Sequence, residues 1–350
     1  MDAHKVVLIT DTHFGVRKGN QIFHDYFEKF YNEVFFPYLD ENNIKEVIHL
    51  GDCFDVRKGI DYWSLDWAKR VFFDPLRDNG IKLHLIVGNH DIFYKTSLKI
   101  NAPGLNLAEY ENIEVYDAPR TATVAGTPIA FFPWICEDNA AETYSERDST
   151  RAKIAMGHLE LAGFLANQNY MCETGTDPDF FKQFDVVFSG HFHKRSTRGN
   201  IVYLGNAYQM YWNDEGESRG FGVLDVRTHE LELVDNPFPM FHKLYYNESK
   251  LKPIKYTNYK DSYVKIIVED KSTPKRLSHV VDELYRVGVH DVKVIENMDV
   301  TLDDDVEVES EDTLTTLSKY VQAMEGNFTE QNTANIVDIF KSLYTEAQEV

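Results

Sequence analysis

Five short stretches of this chain set Asp, Asn and His side chains close together, four of them beside a glycine. They are Asp11-Thr12-His13, Gly51-Asp52-Cys53-Phe54-Asp55, Gly88-Asn89-His90-Asp91, Gly157-His158 and Gly190-His191-Phe192-His193. The donors are oxygen and imidazole nitrogen, with no thiolate. Mixed sets of this kind suit Mn, Fe or Zn in five- or six-fold coordination better than Ca or Mg. Asp11 and His13 stand two residues apart, as do His191 and His193, so in extended backbone each pair points one way. Seven donors are too many for one catalytic ion that keeps an open position. They suit two ions sharing a carboxylate, ~3.5–4 Å apart, which clamp the attacking and leaving oxygens of an in-line phosphoryl displacement. An Asp-x-His pair alone is weak evidence; Gly-Asn-His-Asp is strong, and all five motifs in order are hard to obtain by accident. The other eight histidines (His4, His24, His49, His84, His229, His242, His279 and His290) read as ordinary core or surface residues. No Ser-His-Asp elbow, P-loop or G-x-G-x-x-G is present, so hydride transfer and nucleotide-driven motors lack support.

The motifs need rigid elements to aim them. Apolar runs Val6–Thr10, Val47–Leu50 and Leu83–Val87 read as strands directly ahead of the first three. Ile154–Met156 and Val186–Ser189 precede the last two, so all five fall where strand ends meet loops, the usual ligand position in α/β folds. Helical patterns over Ile22–Leu39 and Tyr62–Arg77 lie between the early strands and predict parallel β-α-β units. From Ile113 to Val234 short strands recur and predict a second sheet packed on the first. The glycines before Asp52, Asn89, His158 and His191 allow a sharp exit from each strand.

Beyond a Pro-containing stretch (Asn236–Pro239, then Lys252-Pro253) the pattern restarts. A strand at Tyr263–Val268, a helix opened by Pro274 with Leu277, Val280, Val281 and Leu284 on one face, and a strand at Val292–Ile295 predict a small β-α-β domain. The expected organisation is a site-bearing domain over 1–245, the small domain over 255–300, an acidic linker over 301–312 and an amphipathic helix pair over 313–348. Such a helix pair either folds back on its own domain or docks on a partner helix or coiled coil.

With 350 residues the chain can bury a full core, and 43% apolar content excludes a disordered acidic tail. No apolar run reaches the ~20 residues a membrane span needs. Three scattered cysteines without a C-x-x-C pair fit a reduced, cytoplasmic protein (host cytoplasm if viral). The net charge of −21 argues against nucleic acid, for which a basic surface is usual. Its distribution weakens that objection: residues 301–350 hold twelve acidic and two basic side chains. Nearly half the negative charge therefore lies in a tail, and two divalent cations would add positive charge where a phosphate must arrive.

These motifs resemble the calcineurin-like metallophosphoesterase superfamily. Within it the chain is similar to the SbcD / Mre-eleven family of DNA-repair nucleases, its phage members most of all. The likeness rests on GDCFDVRK, LHLIVGNHDIFYK, FPWICEDN, GHLELAGF and SGHFH and covers most of residues 5 to 245. The resemblance implies an α/β fold: a two-sheet α-β-β-α sandwich with a small DNA-contacting β-α-β cap and C-terminal helices. It implies one metal held by Asp11, His13, Asp52 and His193 and another by Asp52, Asn89, His158 and His191. His90 would stabilise or protonate the leaving oxygen, with Asp91 orienting its ring. The ions would be manganese, with magnesium an alternative, and would activate water for direct attack on phosphorus. Implied partners are DNA, an ABC-type coiled-coil ATPase bound through the C-terminal helices, and a second copy of the chain. Ile22–Leu39 and Tyr62–Arg77 are the candidate dimer helices, with Phe23, Phe27 and Trp63 either at that interface or in the core.

Basic residues follow the motifs: Arg17 and Lys18, Arg57 and Lys58, Lys95 and Lys99, then Lys194, Arg195 and Arg198. Their placement predicts a phosphate-contacting rim. Two other activities compete with the nuclease reading. A protein phosphatase would carry Gly-Asp-x-x-Asp-Arg and Gly-Asn-His-Glu, but Val56 and Asp91 stand where the Arg and Glu would be. A single-domain small-molecule phosphodiesterase would not need residues beyond about 250. A non-catalytic scaffold would have lost ligands, and none is missing. Asp55 stands where archaeal and eukaryotic relatives carry His, which leaves the role of that position open.

Overall fold

The computed structural model describes residues 4–165, 171–250, 252–270 and 274–296. Two six-stranded sheets dominate. The first runs in the order Leu231–Asp235, Gly220–Asp225, Lys5–Ile9, Glu46–His49, Lys82–Ile86, Ile113–Tyr116. From Lys5–Ile9 onward its neighbours are parallel, as the β-α-β pattern requires, while Gly220–Asp225 joins antiparallel. The second sheet runs Ser196–Arg198, Ile201–Tyr203, Val186–Gly190, Ile154–His158, Thr127–Phe132, Arg120–Val124. Its four central strands are parallel too.

Strand alternation explains the layering. Val6, Leu8, Ile48 and Ile86 point from the first sheet into a seam with Ile129, Phe131, Ile154, Met156 and Phe188 of the second. The intervening Val7, Ile9, Val47, Leu83 and Leu85 face outward against aromatic helix residues such as Phe27, Phe30, Tyr31, Phe35, Trp67 and Phe72. On the far side, Ala130, Phe132, Ala155 and Val187 of the second sheet are covered by Leu159, Phe164, Phe181 and Phe184. The result is the expected α-β-β-α sandwich, with both sheets buried on both faces at their centres.

The two long helical patterns are real but interrupted. Gln21–Phe30 passes into a π-helical turn at Tyr31–Phe35 before Phe36–Glu41, and Tyr62–Ala68 into Lys69–Phe73 before Asp74–Asp78. In both, a proline (Pro37, Pro75) sits at the start of the last segment. Proline has no amide to donate, and the wider turn just ahead of it absorbs the missing bond. Phe23 and Phe27 are core residues, only 4% and 0% exposed, whereas Trp63 is 44% exposed beside the nearly bare Tyr62.

A third, all-parallel sheet orders Phe241–Asn247, Tyr263–Asp270 and Asp291–Ile295, with the helix Pro274–Arg286 on one face. Val264, Ile266 and Val268 pack there on Leu277, Val280 and Leu284. Phe241–Asn247 did not stand out as a strand in the sequence, and a boundary at 245 falls inside it; the sheet starts at Phe241. Phe23 stacks on Tyr263 at 5.8 Å, tying the first long helix to this sheet. The acidic linker and the C-terminal helix pair lie outside the described residues. Among those described, no helix is long and apolar enough to cross a membrane.

Candidate metal centre

The five motifs converge because each leaves a parallel strand at its carboxyl end. Asp11 and His13 follow Lys5–Ile9, Asp52 follows Glu46–His49, and Asn89 follows Lys82–Ile86. His158 ends its strand, and His191 directly follows Val186–Gly190. The turns are severe. Asp11, His13, Asp52 and His191 all have positive φ (51°, 42°, 52° and 87°), a region costly for residues with a Cβ. Strain of order 1–3 kcal/mol each persists only where the surroundings over-determine it, as at ligand sites. Glycine is required at two approaches. Gly51 has φ 100°, and a side chain on it would overlap the His158 ring. A Cβ on Gly190 would lie 2.7 Å from Leu50 O and 2.9 Å from Asp11 Oδ2.

One pocket is tight. His158 Nε2 lies 3.1 Å from Asp52 Oδ2 and 2.9 Å from Asn89 Oδ1, and His191 Nδ1 lies 2.9 Å from the same Asn89 oxygen. Ligands about 2.1 Å from an ion and at right angles to each other are about 3.0 Å apart. At these separations Asp52, Asn89, His158 and His191 could all reach one ion. His158 Nδ1 donates to Leu50 O at 2.8 Å, which fixes the ring and aims Nε2 inward.

The neighbouring pocket is looser. His13 Nε2 and His193 Nε2 are 3.3 Å apart, and they lie 4.0 Å and 3.8 Å from Asp11 Oδ1. Asp52 Oδ2 is 3.9 Å from His13 Nε2 while also serving the tight pocket, so it faces both. Asp11 is held by Thr10 Oγ1 at 2.6 Å and by the His191 amide at 3.2 Å. His13 Nδ1 donates to Asp55 Oδ1 at 3.1 Å, the carboxylate–histidine arrangement that presents Nε2 to a metal. Asp11, His13 and His193 on one side, and Asp52, His158 and His191 on the other, each bring their ligand atoms within 4.8 Å. The residues fit two ions with Asp52 between them.

His90 stands at the edge of this cluster. Its amide donates to Asp52 Oδ1 at 2.8 Å, and its Nδ1 donates to Asp55 O at 2.6 Å, so Nε2 is the ring nitrogen that would take up or give up a proton. Asp91 does something other than the expected ring orientation. Its oxygens accept from the amides of Gly88 (2.9 Å), Phe54 (3.0 Å) and Cys53 (3.3 Å), so it staples the second motif to the third. Asp55 supplies what Asp91 was expected to supply, through its main chain. Sequence reasoning missed this because Asp55 lies 35 residues from His90, and nothing in its own motif marks the contact.

Charge in the cluster is unevenly shared. Burial raises the Asp11 carboxyl, aided by the nearby Asp52 charge, whereas the surrounding histidines hold Asp52 well below the usual range although burial opposes them. Burial also opposes protonation of His13 and His158. The Asp55 hydrogen bond and the Asp52, Asp55 and Asp11 carboxylates nevertheless push His13 up to about 10, and Asp52 pushes His158 up to about 9. Burial, then the positive His158, takes His191 down to about 3, and burial takes His193 well below its usual value. Without ions, protons on two histidines neutralise the carboxylates, and metals would replace those protons.

The basic residues divide. Arg17 is bound into the fold: Nε and Nη2 donate to Met210 O at 3.3 Å and 3.2 Å, and the guanidinium lies over the rings of Tyr211 and Phe23. Arg57 Nε donates to Asn89 O at 2.7 Å and so braces a ligand. Lys194 pairs with Glu217 at 2.9 Å, Lys99 with Asp138 at 3.3 Å, and Arg195 with Asp235. Arg198 donates to Gly163 O at 3.1 Å, away from the cluster. Lys18, Lys58 and Lys95 are exposed.

The calcineurin-like phosphoesterase family model matches residues 4–195, which include every ligand position found above. The chain belongs to that family. As a phosphoesterase it is also 35% identical over 312 residues to exonuclease subunit 1 of Enterobacteria phage T4, covering 89% of this chain and 90% of that protein. The SbcD component of the SbcCD nuclease of Staphylococcus epidermidis is 23% identical over 65% of this phosphoesterase and 67% of its own length. The DNA double-strand break repair protein Mre11 of Methanocaldococcus jannaschii is 25% identical over 65% of this chain and 64% of its own.

Proposed function

We propose that this phosphoesterase is the nuclease subunit of a DNA recombination and repair machine and cleaves DNA phosphodiester bonds with two manganese ions. The observation that carries the proposal is the bridged double pocket, joined to 35% identity with a phage exonuclease subunit over nearly the whole chain. Asp11, His13, Asp52 and His193 would hold one ion, and Asp52, Asn89, His158 and His191 the other. When bound, the ions supply charge for the phosphate and a water acidic enough to attack it. The chain's own residues do the rest. Asp52, whose Oδ2 faces both pockets, would be shared between the two ions. His90, with its Nδ1–H committed to Asp55 O, would give the leaving oxygen a proton from Nε2 as the P–O bond breaks, passing from imidazolium to neutral imidazole. Asp91 and Arg57 hold the loop carrying Asn89 and His90. Four imidazoles among the ligands favour manganese over magnesium.

DNA contact would fall to the exposed Lys18, Lys58 and Lys95 and to the small three-stranded domain. The negative charge of the chain makes DNA binding by the subunit alone weak and salt-sensitive, with a coiled-coil ABC-type ATPase, docked on 313–348, supplying affinity. Tyr62 and Trp63 are exposed aromatics on the second candidate dimer helix, suited to pairing two copies. A phage relative supports action in a host cytoplasm. The test is Mn²⁺-dependent release of nucleotides from linear duplex and single-stranded DNA by purified protein, with and without the ATPase. Cleavage is expected; none in either condition, or faster turnover of cyclic nucleotides than of DNA, contradicts the proposal.

A further inference from the structure

A buried ion pair lies directly behind the looser pocket. Arg219 and Asp214 are 4% and 3% exposed, and Arg219 Nη2 donates to Asp214 Oδ1 at 2.9 Å. The other Asp214 oxygen accepts from the amides of Met210 (2.8 Å) and Tyr211 (3.0 Å). Arg219 Nη1 donates to the main-chain oxygen of His193 and to Asn206 Oδ1. The Asn206 amide donates to the same His193 oxygen at 3.3 Å. Arg219, Asp214 and Asn206 belong to no motif with a chemical signature, and the hydrolysis derived above does not use them.

Two arguments give the pair a purpose. Burying an Arg–Asp pair costs more solvation than the attraction usually returns, so an apolar pair of similar volume would serve folding as well or better. Its presence here is therefore better accounted for by position than by stability. The position it sets is that of His193, whose side chain is 25% exposed against 0% for His158. The His158 ring is locked by its own bond to Leu50 O. His193 is anchored through its backbone, and that anchor is the Arg219–Asn206–Asp214 group.

We infer that Arg219, backed by Asp214, is a positioning residue for the looser metal pocket and sets its affinity by fixing the His193 main chain. The inference rests on the two-ion reading given above. The test titrates metal-free full-length protein with Mn²⁺ by calorimetry, counts bound ions after gel filtration, and records melting in EDTA. It compares wild type, Arg219→Met/Asp214→Leu, Asp214→Asn and Arg219→Lys. Wild type binds two ions. The double variant and Asp214→Asn keep one ion at unchanged affinity and bind the other about 10–100-fold more weakly, the usual size of an outer-shell effect. Arg219→Lys recovers part of the loss, since one ammonium cannot span both partners. The metal-free melting temperature of the double variant equals or exceeds that of wild type. Two ions at wild-type affinity in either of the first two variants overturns the inference. So does equal weakening of both sites with a collapse in melting temperature. If the double variant does not fold, Asp214→Asn decides. Fewer than two ions in wild type overturns the two-ion reading itself.

Discussion

The two halves of the metal centre are built differently. Around Asn89 and His158 the donor atoms sit 2.9–3.1 Å apart. Around Asp11, His13 and His193 they stand 3.3–4.0 Å apart. Both halves draw on the ends of strands from both sheets. In the tight half His158 is clamped by a main-chain bond, whereas the loose half leans on Asp55 for His13 and on Arg219, outside the motifs, for His193. The donor atoms of one pocket stand closer together than those of the other, so the two ions should differ in affinity, with the weaker one governing turnover.

Asp52 faces both pockets, so its loss breaks the comparison altogether. Asp52→Asn should abolish paired binding and lower DNA cleavage by about 10³-fold or more, on the order of the several kcal/mol that a metal pair supplies; calorimetry and single-turnover cleavage check both. Next in size is His90→Gln, expected to lower kcat by about 10²–10⁴-fold while both ions still bind. Loss of an ion in that variant would move His90 into the ligand set. Asp55→Asn sharpens the contrast: Mn²⁺ should bind the His13 pocket about 10–100-fold more weakly and the His158 pocket unchanged.

A further contrast is in pH. His13, pushed up to about 10, and His158, up to about 9, hold protons that metals must displace. Metal affinity should therefore rise between pH 6 and 9, by up to about tenfold per pH unit for each displaced proton. The metal-free protein should respond oppositely. Raised histidine values stabilise it below about pH 6.5, and that stabilisation is lost as pH passes 9 and 10. Calorimetry in buffers of different ionisation heat, with melting in EDTA, separates the two trends.

The ligand types and the strands ahead of them were legible because both signals are local: alternating apolar residues, then Gly beside Asp, Asn or His. Two packed sheets followed from the same pattern, and the α-β-β-α arrangement from the family resemblance. The supports were not legible. Asp55 reaches His13 across 42 residues, Arg57 reaches Asn89 across 32, and Arg219 reaches His193 across 26. No spacing rule links such pairs, since the fold alone brings them together. Arg17 shows the converse: beside a motif it reads as a phosphate contact, yet packing over Tyr211 and Phe23 engages it within the protein. The Phe241–Asn247 strand hid because its alternation is masked by Tyr245 and Tyr246, which point to opposite faces.

The most direct test of the two-metal account is a stepwise Mn²⁺ titration of the metal-free chain, following bound ions and cleavage of linear DNA in the same samples. The account predicts a first, tight equivalent that leaves the enzyme silent and a second, weaker one with which activity appears. Full activity at one equivalent, or activity with none, would contradict it.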